Sequence, residues 1–194
     1  MRVLSDSEVL PTGELSVFVA ANFETGSTDW ASIISSYSTD AANDGWALER
    51  EAGTNKMRFY IEDYYNANKR CDHSMTYNQD EVWSMVFNTT LNKVSTYLSE
   101  SSCNFNANFN GPINYNAGGN EDLLIGAGVN NGGPAYFLQG DIGEVIIYDV
   151  AVNDAQRIII SNYLAAKYDI SIVTNDLYNE DNVSSGNYDH DVAG

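Results

Sequence analysis

The chain has 194 residues, enough for one domain with a short appendage, and carries 27 acidic against 9 basic side chains for a net charge of −18. That surface argues against nucleic acid as a partner, since binding phosphates depends on Lys and Arg neutralising their charge. No run of about 18 apolar residues occurs, which argues against membrane insertion through a helix.

Asn, Gly, Tyr, Thr and Val are plentiful and Pro is scarce, a mix that favours strands joined by turns. The chain turns strand-like almost from Met1, as a module cut from a longer protein would. The first core strand is predicted over 14–23 and a second over 33–37. Between them Trp30 sits in a loop and is a candidate for stacking against a ligand. A polar turn over 40–45 holds Asp40, Asn43 and Asp44, a compact set of oxygens suited to calcium. The bland alternative is that these side chains bond their own backbone.

Strands follow at 46–50 and 56–62. Tyr64 and Tyr65 with Asn66 and Asn68 form a second candidate ligand platform, an apolar ring face beside hydrogen-bonding amides. Further strands are predicted over 82–88 and 93–98. From 104 to 110 Asn occupies every even position and Phe105, Ala107 and Phe109 the odd ones. As a strand, that stretch would have one apolar face and one face of stacked amides. These amides read as a solvent face or as an array for a sugar. Residues 122–126 are another strand, and 127–134 a glycine-rich turn with Asn130 and Asn131 as ligand candidates. The strongest strand signal spans 137–148. Asn153, with Gln156 three residues on, then opens the single helix through a capping box. Ile160, Tyr163, Leu164 and Lys167 share one face of that helix, which should pack on the edge of a sandwich. Two cysteines, Cys71 and Cys103, suit one disulfide in an oxidising compartment, with two separate buried thiols as the alternative.

The closing blocks, residues 140–149, 151–155 and 162–168, resemble the ending of LamG-like, concanavalin A-like modules: Gly-x-Ile-x-Glu-Val-x-Ile-Tyr, a linker, then a helix ending Tyr-Leu-x-x-Lys-Tyr. Earlier blocks agree in order: Leu15-Ser-Val-Phe18, Ile33-Ile34, Gly45-Trp46-Ala-Leu48, Met57-Arg-Phe-Tyr60, Val82-Trp83 and Leu124-Ile-Gly126. The resemblance implies an all-β, two-sheet antiparallel jelly-roll sandwich over residues 1–170. Residues 171–194 would be a linker or the start of a following module. It also implies burial of Trp46 and Trp83 and, by the company such modules keep, secreted or cell-surface bacterial proteins. Pentraxin-type relatives place calcium after the strand ending at Gly126. Here only Asn130 offers a side-chain oxygen there, so a pentraxin-style double site is not expected.

Catalytic patterns are thin. No Glu is followed two positions later by Asp, the strand motif of glycoside hydrolases on this fold. Glu49 and Glu51 share a strand face but read as a solvated strand end, and His73 beside Asp72 reads as a surface histidine. The expectation is a noncatalytic module that binds a polysaccharide or surface glycan, or serves adhesion, with calcium as the candidate cofactor. Its other partners would be neighbouring domains of the same chain, at an extracellular or cell-surface location. A ligand-free spacer, or an accessory domain of a polysaccharide-degrading enzyme, is the alternative.

Overall fold

The structure is a computed structural model that describes residues 2–3, 10–37, 45–61, 70–99, 101–106, 113–115, 122–130, 133–172 and 174–177. Asp40, Asn43, Asp44, Tyr64, Tyr65, Asn66, Asn68 and Asn131 lie outside the described residues.

Two antiparallel sheets stack face to face. The six-stranded sheet has the order β1-β10-β3-β4-β5-β6, built from Arg2–Val3, Leu123–Ile125, Ser32–Ser36, Trp46–Arg50, Lys56–Ile61 and Arg70–Ser74. The five-stranded sheet has the order β13-β2-β7-β8-β9, from Ile142–Tyr148, Leu15–Ala21, Glu81–Asn88, Lys93–Leu98 and Ser101–Asn106. A two-stranded ribbon, β11 (Gly128–Asn130) with β12 (Gly133–Ala135), and one helix, α1 (Asp154–Tyr168), complete the described elements.

Alternation along the strands decides which side chains meet between the sheets. Trp46 and Leu48 of β4, Met57 and Phe59 of β5, and Trp83 and Met85 of β7 are all fully buried in that layer. Each side chain of this size contributes about 1.5–3 kcal/mol when taken from water. The two tryptophans are therefore core residues, as the resemblance implied. β2 is buried on both faces. Val17 and Val19 enter the main core, while Phe18 and Ala20 face the other way and pack under Leu164 and Ala165 of α1. That double burial is why residues 17–21 read as an unbroken apolar run rather than a strict alternation.

The helix begins as its sequence dictates. The Asn153 side chain accepts from the Gln156 backbone N–H at 3.0 Å, and the Gln156 side chain accepts from the Asn153 N–H at 3.0 Å. At the other end Asp169 takes a left-handed conformation, φ 55, and its N–H returns to Ala165 O. Beyond it, Ile172 packs with Ile170 in the helix-side core, and Asn162 holds the chain on by bonds to Asn175 O and Leu177 N–H.

Cys71 on β6 and Cys103 on β9 form a disulfide, their Cα atoms 5.9 Å apart. It joins the last strand of one sheet to the last strand of the other.

Three expectations change, and one strand was not anticipated. β13 begins at Ile142, not at 137, because Gly140 (φ 152) breaks the regular pairing and Phe137 points outward at 63% exposure. The polar run 70–74 is a strand, β6, that composition hides. The glycine-rich 127–134 stretch is not a bare turn but the β11–β12 ribbon. His73 is no surface histidine. It is 6% exposed on β6, its Nε2 lies 2.8 Å from Thr96 Oγ1, its ring meets Trp83 edge-on, and burial holds its pKa below the ordinary histidine value.

Candidate functional site

The outer face of the six-stranded sheet divides into an apolar half and a charged half. Over β3 and β10, Tyr37, Leu124, Ala127 and Val129 form a small buried cluster with Ala47 and Tyr60. The ribbon is clamped there: the Val129 N–H donates to Tyr37 Oη at 3.0 Å, and Ser35 Oγ donates to Ala127 O at 2.9 Å. Gly128 passes so close that a Cβ would meet Ser32 Oγ and Tyr37 Oη at 2.7 Å, which is why glycine stands at that position. Asn130, at the ribbon's end, is half-buried and pairs across to Gly133.

The charged half is set by register. Ser32, Glu49, Arg58 and Asp72 stand opposite one another on β3, β4, β5 and β6, forming one rung, and Ala47, Tyr60 and Arg70 form the next. Arg58, only 1% exposed, donates through Nη2 to Glu51 Oε1 and lies 3.8 Å from both Glu49 and Asp72. Arg70 reaches the same Glu51 oxygen at 3.4 Å and Asp72 at 3.7 Å. Burial pushes the Glu49 carboxyl up to about 8 against the pull of Arg58 and Arg70. With that proton held, two carboxylates balance two guanidiniums. A balanced set is what low-dielectric surroundings permit, since an unpaired buried charge is costly.

Glu49 and Glu51 are therefore not a solvated strand end. Glu49 is 3% exposed, and the Glu51 side chain is 18% exposed between two arginines. The parts of this network that meet solvent are Glu51, Asp72 and Arg70, with side chains 18–24% exposed.

Trp30 belongs to this site. Its indole lies over the Arg58 guanidinium, 5.2 Å from ring centroid to Cζ, a cation–π contact. The residue has φ 66, a left-handed conformation rare for a bulky side chain, and the surroundings hold it there. Arg50 Nη1 and the Gly53 N–H both donate to Asp29 Oδ1, at 2.6 and 2.9 Å. These two donors, the backbone one foremost, hold the Asp29 carboxyl below its usual range. On the other side Ser32 Oγ donates to Trp30 O, and the Arg50 N–H donates to Ala31 O. The chain is held on both sides of Trp30 and its indole rests against Arg58, so the residue is preorganised and little entropy is lost when something stacks there.

Of the ligand candidates read from sequence, Trp30 lies in this charged half and Asn130 on the ribbon that covers the other half. Sequence reasoning missed Arg58, Arg70 and Asp72 as members of a site, and read Glu51 as part of a solvated strand end. Their signal was present: three successive strands carry charged residues two apart or flanked by core residues, in Glu49-Arg-Glu51, Met57-Arg-Phe59 and Arg70-Cys-Asp72. Among the described residues no group of three or more His, Cys, Asp or Glu side chains converges to hold a metal ion. No described helix is long and apolar enough to cross a membrane.

No family model matches the chain, and no curated protein matches it in sequence. Solved structures do match in fold. The CBM40 of the Ruminococcus gnavus IT-sialidase, bound to alpha2,3 sialyllactose, superposes with a TM-score of 0.58 at 11% identity, over 80% of this chain and 85% of that one. A SAP-like pentraxin from Limulus polyphemus gives 0.57 at 13% identity, over 81% and 72%. The NanB sialidase from Streptococcus pneumoniae gives 0.57 at 14%, over 77% of this chain but only 24% of that one. At such identities the likeness is one of fold. The chain is an all-β jelly-roll sandwich of lectin-like architecture, with two antiparallel sheets and one helix.

Proposed function

We propose that this chain is a noncatalytic glycan-binding or adhesion module, LamG-like in its sequence pattern, at an extracellular or cell-surface location. The observation that carries the reading is Trp30 held over Arg58 beside the solvent-facing edge of a charge-balanced network. A pyranose has one apolar face and a rim of hydroxyls that donate and accept. The indole supplies a surface for the first. Arg70, Asp72 and Glu51 supply both kinds of partner for the second, and with Arg58 counted the set carries no net charge while Glu49 keeps its proton. The Cys71–Cys103 disulfide suits an oxidising compartment. The CBM40 and pentraxin folds, and the sialyllactose bound to the former, support a binding role in general.

Titration calorimetry of the chain, Trp30→Ala and Arg70→Gln with neutral oligosaccharides and with sialyllactose tests this. Binding by the wild type that falls tenfold or more in Trp30→Ala supports the reading. Equal binding by all three proteins removes the site, and no binding by any leaves the ligand-free spacer.

Calcium belongs to the same proposal. Asp40, Asn43 and Asp44 would supply hard oxygen ligands from one turn. A ligand that binds only the folded state raises its stability. A melting temperature that rises with millimolar calcium over chelator, and does not in Asp40→Asn/Asp44→Asn, supports it; an unchanged melt removes it.

Glu49 favours a second reading. A carboxyl that keeps its proton near neutrality beside the carboxylate of Glu51 matches the acid and base division of glycosidases. Against it, Glu49 is 3% exposed and Glu51 is held by Arg58 and Arg70. New reducing ends released from β-glucan by the wild type and not by Glu49→Gln would establish an enzyme.

A further inference from the structure

The opposite side of the molecule carries a separate groove of about 580 Å³, between the outer face of the five-stranded sheet and the start of α1. That volume falls within the ~300–1,000 Å³ of small-ligand clefts. The helix covers β2, β13 and the beginning of β7, where Phe18, Ala20, Val82 and Ile146 pack beneath it. It leaves the far part of β7, with β8 and β9, uncovered as a floor.

That floor is polar by register. Val86, Ser95 and Asn104 stand in one rung, and Tyr97 and Ser102 in the next, beside the buried Ser84. Asn104 is the first of the alternating asparagines in the sequence, and it faces this groove. The Arg157 guanidinium of α1 lies 3.9 Å over the Tyr97 ring, fixing helix against sheet, with Asp154 3.8 Å from Arg157. At the mouth the β7–β8 turn presents Leu91, 67% exposed. The turn is built rather than loose: the Leu91 N–H donates to Asn88 Oδ1 at 2.8 Å, the Asn92 N–H to Thr89 O at 3.1 Å, and Asn92 adopts φ 49.

Hydroxyls and amides can each donate and accept, and here they alternate with the apolar Val86, Leu91 and Val152. Sugar hydroxyls need partners of both kinds, and the ring C–H faces need apolar surface between them. A peptide strand would seek an edge of backbone groups, but this surface is a sheet face whose backbone is already paired. The groove itself holds Lys93 and Arg157 against Asp154, one positive charge in excess, while the chain as a whole at −18 disfavours an anionic ligand.

We propose that this groove is a second glycan site, taking a short neutral oligosaccharide across β7, β8 and β9, independent of the face that carries Trp30. The test is an NMR titration of the ¹⁵N-labelled, ¹³C-methyl-labelled chain with cellohexaose, xylohexaose and mannohexaose. At least one should shift the amides of Ser95, Ser102 and Asn104 and the Leu91 methyls. Asn104→Ala should weaken that response about fivefold or more, Ser95→Trp should fill the groove and abolish it, and Trp30→Ala should leave it unchanged. Absence of these shifts with all three sugars overturns the proposal. So does their persistence in Ser95→Trp, or their loss in Trp30→Ala. Shifts confined to the Trp30 face would overturn this groove alone. Shifts confined to the groove would overturn the Trp30 site and leave this one standing.

Discussion

The Glu49 carboxyl gives the sandwich a pH dependence that one substitution should remove. An unfolded chain ionises Glu near 4.5, whereas the folded protein holds the Glu49 proton until about 8 because the site is buried. Between those values the folded state binds the extra proton, so stability is full below pH 4.5 and falls as pH rises through 8. Each factor of ten in proton affinity is about 1.4 kcal/mol, so the loss is on the order of 4–5 kcal/mol across the window. Set against a typical total of about 5–15 kcal/mol, that is a large share. Glu49→Gln keeps the shape and the neutral state, and leaves Glu51 and Asp72 to balance Arg58 and Arg70. Urea unfolding from pH 5 to pH 9, at constant m-value, should show the two proteins alike at pH 5 and the variant more stable at pH 9. His73 acts in the opposite sense, losing stability as pH falls below the ordinary histidine value, but it is common to both proteins and cancels in the comparison. Glu81, pushed by burial up to about 7, adds a loss of the same sign over a narrower pH window in both. Parallel curves for wild type and variant would refute the argument, since they would mean that Glu49 is ionised and paired with Arg58 in the fold.

Other outcomes follow from single contacts. Replacing Cys71 and Cys103 by Ser should cost about 3–4 kcal/mol, the loop-closure entropy of a bridge spanning 32 positions, read as a lower urea midpoint. Asn153→Ala removes one half of the capping box and should cost ~1 kcal/mol, with hydrogen exchange rising first in the opening turn of α1. Gly45→Ala should destabilise the protein strongly or abolish folding. The added Cβ would lie 1.7 Å from Ser36 O, and φ is 59 there, so the melt of that variant decides.

Much of the fold was legible in residues that do one thing. Trp46-Ala-Leu-Glu-Arg50 and Lys93–Leu98 appear as strands with the bounds their alternation suggests, and Asn153 with Gln156 opens the helix as a capping pair should. β6 was illegible because Arg70-Cys-Asp-His-Ser74 faces a buried charge network on one side and a disulfide and a buried histidine on the other. A strand whose two faces are both partly polar shows no apolar period. The ribbon over β3 escaped for a related reason: its close approach to Ser32 and Tyr37 needs glycine at Gly128, and glycine reads as a turn. The site itself is legible in part. Trp30 stood out as an aromatic in a loop, but Arg58 beneath it and Arg70 beyond acquire their meaning only from register. Three successive strands must align in one register before Glu49, Arg58 and Asp72 become neighbours.

The central claim is that Trp30 and the network beside it hold sugar without cutting it. A glycan array probed with the intact chain and with Trp30→Ala, each bound spot then assayed for released sugar, tests both halves at once. The account predicts retention on at least one glycan class, loss of that retention in the variant, and intact glycan afterwards. Retention that ignores Trp30, or product released by the wild type, would contradict it.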